Sequence, residues 1–235
     1  MTPDTPFRLN DLSRDGLVLL QIHLGGDRNW QYLLADPAAD RAAVVDPGHE
    51  PARMAALAAE RGLVIERILI THGHGDHTAG AAELARLTGA TIHAGAAGTV
   101  DGAVAVADGE VITVGGLAIE ALRTPGHAPD HVCYRCGPAL ITGDLLFCGK
   151  VGGTGSYFAG SSAAAQWDSL ARILSLPDDV LVLPGHDYYG GEGDMPWSTI
   201  GHERRFNPFL CCDDLAAFED LKANWATYKK EHGIR

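Results

Sequence analysis

The chain has 235 residues, of which 46% are hydrophobic and 20% charged, and this balance predicts one compact domain with an ample core. The net charge of -12, from 18 basic and 30 acidic residues, argues against a nucleic-acid-binding surface, which needs clustered Lys and Arg. There is no apolar stretch of membrane-spanning length, and the first ten residues, MTPDTPFRLN, lack a basic segment followed by a hydrophobic one. We therefore expect a soluble cytoplasmic protein that binds neither nucleic acid nor membrane, in an oligomeric state that the sequence leaves open.

Apolar patterns of strand and helix type alternate along the chain. They predict strands at Leu17–His23, Trp30–Leu34, Ala42–Val45, Ile65–Ile70, Thr91–His93, Glu110–Val114, Leu117–Leu122, His131–Cys136, Ala139–Thr142 and Val180–Leu183. They predict helices at Pro51–Arg61, Thr78–Leu87, Ser161–Leu174 and Asp213–Tyr228. Because strand, helix and strand follow one another in both halves, we expect an α/β protein with two sheets and outer helices.

The most informative segment is Thr71–His77, which reads THGHGDH and directly follows a predicted strand. It carries three imidazoles (His72, His74 and His77) and the carboxylate of Asp76 in a turn punctuated by Gly. Imidazole suits Zn, Fe, Mn and Cu, and a nearby carboxylate adds charge for a second ion. The segment therefore predicts a metal site at the end of a strand.

Further ligand-type residues follow other predicted strands beside Gly or Pro, namely His127, Asp144 and His186. Taken singly, a His after Pro-Gly is an ordinary turn residue, and an Asp after Gly is an ordinary cap. Together with the THGHGDH segment they give seven candidate ligands, all at the ends of strands. This convergence favours a metal centre over unrelated turns.

The ordered motifs resemble the metallo-β-lactamase superfamily, and Asp46 in Val44–Gly48 is similar to its early Asp motif. The segments Leu183–Tyr188 and Ser198–Leu210 resemble the branch that contains glyoxalase II (hydroxyacylglutathione hydrolase) and the persulfide dioxygenases. The resemblance implies an αβ/βα four-layer sandwich of two mixed sheets. We expect residues 1–235 to form a single domain of this type, with residues 198–235 as a short C-terminal helical extension.

The candidate ligands suggest two divalent ions, Zn in the first place and Fe or Mn as alternatives. His72, His74 and His127 would face one ion, and Asp76, His77 and His186 the other. Asp144 would bridge the two ions, so Asp76 and Asp144 are the candidate catalytic carboxylates. Asp46 would order the histidine loop by hydrogen bonds, although a simple Asp-Pro-Gly turn explains it equally well. His131 resembles a second His of the glyoxalase II pattern and is expected to support the site.

For the substrate, the resemblance implies a small thioester or related ester, which a metal-bridging hydroxide would hydrolyse. Lys150 and Tyr188 are the candidate substrate-binding residues, whereas Gly153 stands where a relative would usually carry Arg or Lys. Glutathione recognition is therefore an open part of the hypothesis. The alternative is a mononuclear iron dioxygenase of glutathione persulfide that uses His72, His127 and Asp144, and the run from His186 to Gly190 leans that way.

The five cysteines have no disulfide pattern. Cys133 and Cys136 form a CxxC within a predicted strand, where an offset of three points the side chains to opposite faces. We interpret them as buried strand thiols in preference to a zinc or redox pair. Cys148 lies in a Gly-rich loop close to Asp144 and is a candidate for lining the pocket.

Overall fold

The computed structural model of the protein describes residues 7–26, 28–96, 99–188 and 195–234. The chain forms two compact units, Met1–Leu122 and Arg123–Arg235. The predicted single domain over residues 1–235 stays a prediction. Gly190, which entered the dioxygenase alternative, lies outside the described residues.

The first unit is built on a seven-stranded mixed sheet. Its strands, in spatial as well as chain order, are β1 (Arg8–Asp11), β2 (Val18–His23), β3 (Gln31–Asp36), β4 (Arg41–Val45), β5 (Val64–Leu69), β6 (Thr91–Ala94) and β7 (Val104–Ala105). Neighbours from β1 to β4 are antiparallel, and those from β4 to β7 are parallel. The unit also contains the helices α1 (Pro51–Ala59), α2 (Gly75–Thr78) and α3 (Ala81–Thr88), and the hairpin β8 (Val111–Val114) and β9 (Leu117–Arg123).

Helices α1 and α3 pack on one face of this sheet because each presents an apolar side to it. Met54 and Ala58 lie four residues apart on α1, Leu84 projects from α3, and all three are buried in the same cluster as Val44 of β4 and Ile68 of β5. Burial of this cluster removes the apolar surface of two helices and the sheet from water together. The sheet is thereby fixed as a rigid support for the loops that leave its edge.

Parallel pairing of β4 and β5 brings the first candidate residues to the same edge of the sheet. Val45 is paired with Leu69 at the end of the ladder, and the amide of Asp46 donates to the carbonyl of Leu69 over 3.0 Å. Since both strands run in the same direction, the chain leaves them at one edge. Asp46 and the THGHGDH segment therefore begin side by side.

The second unit also contains a mixed sheet, in which β10 (Val132–Cys136), β11 (Ala139–Gly143), β14 (Leu181–Pro184) and β15 (Ser198–Thr199) are successive neighbours. Only the pair β11 and β14 is parallel among these four. A short hairpin, β12 (Leu146–Phe147) and β13 (Lys150–Val151), follows β11. The helices are α4 (Ala163–Ile173), α5 (Ile200–Phe206), α6 (Leu215–Ala223) and α7 (Trp225–Glu231). The protein thus has two mixed sheets flanked by helices, as predicted.

The predicted helix Asp213–Tyr228 is wrong as a single element, because the chain forms α6 and α7 with a break at Asn224. The Asn224 side chain donates to the carbonyl and to the carboxylate of Asp220, both over 3.0 Å. An Asn side chain that bonds the preceding turn in this way competes with the helical ladder. The sequence pattern also missed β1, β7, β12, β13, β15 and α2, which are too short to show a period.

Candidate functional site

The first cluster of candidate ligands follows β5. His72 and His77 are buried, their ring centroids are 4.2 Å apart, and His72 Nε2 lies 2.9 Å from His74 Nδ1. Asp76 sits in the first turn of α2, with its Oδ2 3.7 Å from His77 Nε2. Three imidazoles and a carboxylate within such distances form a donor set that fits divalent metal binding.

Asp46 holds this cluster from the neighbouring strand. Its carboxylate accepts from the amide of Thr71 (2.8 Å), from the Thr71 hydroxyl (2.6 Å) and from His77 Nδ1 (2.9 Å). Because the Thr71 proton goes to Asp46, the Thr71 oxygen accepts from His72 Nδ1, 3.0 Å away. Both His72 and His77 therefore carry their proton on Nδ1 and present the Nε2 lone pair, which is the form that binds metals.

Asn29 is a residue of this cluster that the sequence analysis missed. The buried side chain donates from Nδ2 to Asp76 Oδ2 (3.0 Å) and to the Asp76 carbonyl (3.3 Å). Gly48 adds a steric constraint, since a Cβ at this position would collide with the Asp76 carbonyl oxygen. No motif in a single sequence connects Asn29 with a carboxylate 47 positions away.

The second cluster lies at the end of the parallel pair β11 and β14. Gly143 is paired with Pro184, and the amide of Gly185 donates to the Gly143 carbonyl over 2.8 Å. Asp144 and His186 follow directly, and Asp144 Oδ2 lies 3.5 Å from Nε2 of His186 and 3.5 Å from Nε2 of His127. All three side chains are buried. The carboxylate thus faces two imidazoles within the second unit.

The orientation of His127 is set by the loop that follows β13. His127 Nδ1 donates to the carbonyl of Gly153 over 2.7 Å, which leaves Nε2 facing Asp144. The preceding residue, Gly152, lies so close to Asp144 that a Cβ there would collide with the Asp144 carbonyl oxygen. Only glycine allows this approach of the two backbones.

The side chain of Lys222 from α6 reaches the same loop. Its ammonium donates to the Gly152 carbonyl (2.7 Å) and to Gln166 Oε1 (2.6 Å), while Gln166 Nε2 donates to the same carbonyl (3.1 Å). Burial, and secondarily the charge of Lys150, lowers the pKa of Lys222 to about 7. Lys222 on α6 therefore holds the loop that contains Gly152 and Gly153.

Lys150 and Tyr188, the candidate substrate-binding residues, lie beside His186. The Tyr188 ring stacks on His186 at a centroid distance of 4.6 Å and an angle of 7°. Lys150 Nζ lies 5.1 Å from the centroid of Tyr188 and 5.8 Å from that of Phe147. The lysine charge is therefore placed over the aromatic ring that covers a candidate ligand.

The turn that carries Lys150 is held by Glu203 and Asn207, two buried residues of the Ser198–Leu210 segment. Glu203 accepts from the amide of Gly149 over 2.9 Å, and Asn207 Nδ2 donates to the Lys150 carbonyl (3.2 Å) and to Glu203 (2.8 Å). Burial raises the pKa of the Glu203 carboxyl. The sequence showed that this segment resembles a family motif, but not that it supports the turn.

The remaining candidate residues, His131, Cys133, Cys136 and Cys148, are all buried. His131 is buried, with Nδ1 3.0 Å from the Thr124 hydroxyl, which also donates to Cys133. Burial raises the pKa of Cys133 to about 12 and that of Cys136 to about 11, as expected of thiols that pack within a sheet. Cys148 is also buried, and burial raises its pKa further.

Comparison with known proteins agrees with the fold and the motifs. The model of the metallo-beta-lactamase superfamily matches residues 24–186, and the chain belongs to this superfamily. Hydroxyacylglutathione hydrolase of Rhodopseudomonas palustris strain BisA53 is 40% identical over an alignment of 170 positions, which covers 68% of this chain and 63% of that protein. The chain thus spans less than two thirds of the length of this relative.

Two solved structures are similar over most of the chain. ETHE1 from Myxococcus xanthus superposes with a TM-score of 0.81 and 32% identity, covering 88% of this chain and 90% of that one. TTHA1623, solved in a di-iron-bound form, gives a TM-score of 0.65 and 29% identity over 81% of this chain and 99% of that one. These relatives confirm the predicted superfamily and fold class. None of the helices in the described part of the chain combines the length and the apolar character needed to cross a bilayer.

Proposed function

We propose that the protein is a metal-dependent hydrolase of thioesters or related esters. The observation that carries this proposal is the position of the proton on three imidazole rings. His72, His77 and His127 each donate from Nδ1 to an oxygen of the protein, so each offers Nε2 as a metal ligand. The hydroxyacylglutathione hydrolases among the relatives support hydrolysis as the reaction.

In this proposal the candidate ligands act as one dinuclear set, with His72, His74 and His127 for one ion and Asp76, His77 and His186 for the other. Asp144 would serve both ions. Two divalent ions held by these residues would lower the pKa of a bound water towards about 7 and polarise the thioester carbonyl. Hydrolysis adds the oxygen of water to the acyl carbon and breaks the carbon–sulfur bond. The products are a carboxylic acid and a thiol.

Lys150 and Tyr188 would bind the thiol portion of the substrate. An ammonium 5.1 Å from the centroid of the Tyr188 ring is suited to hold a carboxylate, as in glutathione, next to His186. Lys222 cannot assist directly, because its amine is bonded to Gly152 and Gln166. We therefore expect S-lactoylglutathione to be hydrolysed, but inefficiently.

A second candidate function is oxygenation of glutathione persulfide by a single iron ion held by His72, His127 and Asp144. The similarity to ETHE1 favours it. A ligand set of two His and one carboxylate is typical of mononuclear iron oxygenases. Zn would be inactive in such an enzyme, because the reaction requires an ion that can change its oxidation state.

Metal analysis of protein purified without added metal tests the two functions. It should be combined with assays of S-lactoylglutathione hydrolysis and of oxygen uptake with glutathione persulfide on the same preparation. About two ions per chain with hydrolysis is the result we expect. About one iron per chain, with oxygen uptake and without hydrolysis, would contradict the proposal and establish the alternative.

A further inference from the structure

The two imidazoles that face Asp144 are each covered by an aromatic ring. On His186 this ring is Tyr188, stacked nearly parallel at 4.6 Å. On His127 it is Phe158, at a centroid distance of 4.8 Å and an angle of 56°. The two sides of Asp144 therefore present different surfaces, a tyrosine with a lysine over it on one side and a phenylalanine on the other.

The Phe158 ring fills the space above Gly153. A Cβ at position 153 would collide with the edge of this ring. A charged side chain at 153 and the observed position of Phe158 are thus mutually exclusive. Since the Gly153 carbonyl accepts from His127 Nδ1, the ring lies directly beside a proposed ligand.

The loop that carries Phe158 is held by its own hydrogen bonds. The amide of Phe158 donates to the Gly155 carbonyl (2.9 Å), and the amide of Gly155 donates to the Ser161 hydroxyl (2.9 Å). At its end, the amide of Ser162 donates to the Gly126 carbonyl (2.8 Å), next to His127. These bonds fix the loop, and the Phe158 ring lies as a wall beside His127.

We propose that Phe158 is a specificity-determining residue that selects thioesters with an apolar, uncharged acyl group. This inference rests on the proposed function, in which Lys150 takes the anionic thiol portion on the side of His186. The acyl group then falls on the side of His127. An aromatic or branched aliphatic acyl group gains by burial against the Phe158 ring. A carboxylate in the same place would lose water and meet the negative face of the ring.

Two thioesters of glutathione, whose carboxylates Lys150 can hold, provide the test, one with a phenylacetyl and one with a succinyl group. We expect the wild type to prefer the phenylacetyl thioester by at least about 10-fold in kcat/KM. Phe158→Ala should reduce that preference about 10-fold, mainly by raising KM for the phenylacetyl substrate. Phe158→Leu should keep most of the preference, whereas Phe158→Gln, which is close in size to the Leu variant but has a polar end, should lose it.

Phe206→Ala is the matched control, because Phe206 is an aromatic residue of the same unit that is 66% exposed. This variant should leave the preference unchanged. Metal content is measured for every variant, since loss of metal in Phe158→Ala and Phe158→Gln would show that the ring only positions His127 and would overturn the proposal. An unchanged preference in both variants would overturn it as well.

Calorimetric binding of phenylacetate and succinate to the same metal-loaded proteins separates this inference from the proposed function. If the wild type binds phenylacetate more tightly than succinate and Phe158→Gln abolishes this preference, the specificity role of Phe158 is supported, even if the wild type hydrolyses neither thioester. In that case the proposed hydrolase activity alone is wrong. Equal binding of both acids to wild type and variants, together with measurable hydrolysis, would overturn the role of Phe158 and leave the hydrolase intact.

Discussion

The ammonium of Lys222 donates a hydrogen bond of 2.7 Å to the carbonyl of Gly152, one residue before the carbonyl that orients His127. A charge on a C-terminal helix is therefore part of the support for a proposed metal ligand. Because burial lowers the pKa of this lysine to about 7, the unfolding free energy of the protein depends on pH with a definite sign.

We predict that the unfolding free energy of the wild type rises with pH relative to that of Lys222→Met. Between about pH 7 and the unfolded pKa of 10.5, the unfolded lysine binds a proton that the folded one has lost, so raising the pH favours folding. The slope of this difference against pH has an upper bound of about 1.4 kcal/mol per pH unit in this range, and the slope falls to zero below pH 7. Urea unfolding of metal-free protein at pH 6, 7, 8 and 9 measures it. Lys230→Met, at an exposed position, is the control, and parallel curves for wild type and Lys222→Met would contradict the prediction.

Replacing Asp144 by Ala should remove both ions and all hydrolysis. In the proposed centre its carboxylate serves both ions, and its loss leaves two cations facing each other without the intervening negative charge. Elemental analysis after gel filtration checks the metal content. The control variant Asp168→Ala, at an exposed position of α4, should keep both ions and the hydrolytic activity. Two tightly bound ions in Asp144→Ala would disprove the bridging role.

The variant His77→Ala separates the two proposed functions. A dinuclear hydrolase should lose one ion and slow by orders of magnitude, because His77 belongs to the ligand set of the second ion. A mononuclear iron enzyme that uses His72, His127 and Asp144 should keep its iron and much of its rate. Metal content and rate are to be measured on one preparation of each protein.

We expect Asn29→Ala to weaken the binding of one of two ions about 10- to 100-fold, the usual effect of removing a residue that orients a ligand. The physical reason is that Asn29 Nδ2 donates to Asp76 Oδ2 over 3.0 Å. Competition with a chromophoric chelator gives the two dissociation constants. Asn10→Ala breaks a comparable bond to Gln21 in the same unit and should leave both constants unchanged. If the two Asn variants behave alike, Asn29 has no specific role.

The Lys150→Ala variant should lower kcat/KM for S-lactoylglutathione more than for an aryl ester or a thioester without charged groups. Binding energy from a remote carboxylate should be visible in turnover as well as in apparent affinity. Both substrate classes are assayed under one metal condition. Equal losses for both, or a wild-type rate with glutathione thioesters near the diffusion limit, would show that the recognition charge lies elsewhere.

The sequence predicted the long elements well because their apolar patterns are local. The predicted strand Ile65–Ile70 and the observed Val64–Leu69 differ by one residue at each end. The THGHGDH segment that follows this strand contains the clustered imidazoles. The sequence could not predict Asn29 or Lys222, since each acts on a backbone or side-chain atom that is distant in the chain. The sequence also predicted one helix where the chain forms α6 and α7 on either side of Asn224. The identity of an Asn in a polar segment does not show that its side chain will bond the preceding turn.

The superfamily model ends at His186, whereas Glu203, Asn207 and Lys222 lie beyond it. A protein cut after His186 would keep every proposed ligand and the whole segment that the superfamily model matches. It would lose Glu203, which accepts from the Gly149 amide, and the ammonium of Lys222, which donates to the Gly152 carbonyl. The segment that the superfamily model matches is therefore shorter than the segment that positions the proposed ligands. Relatives trimmed to the matched segment would contain the candidate ligands without the side chains that hold the loops around them.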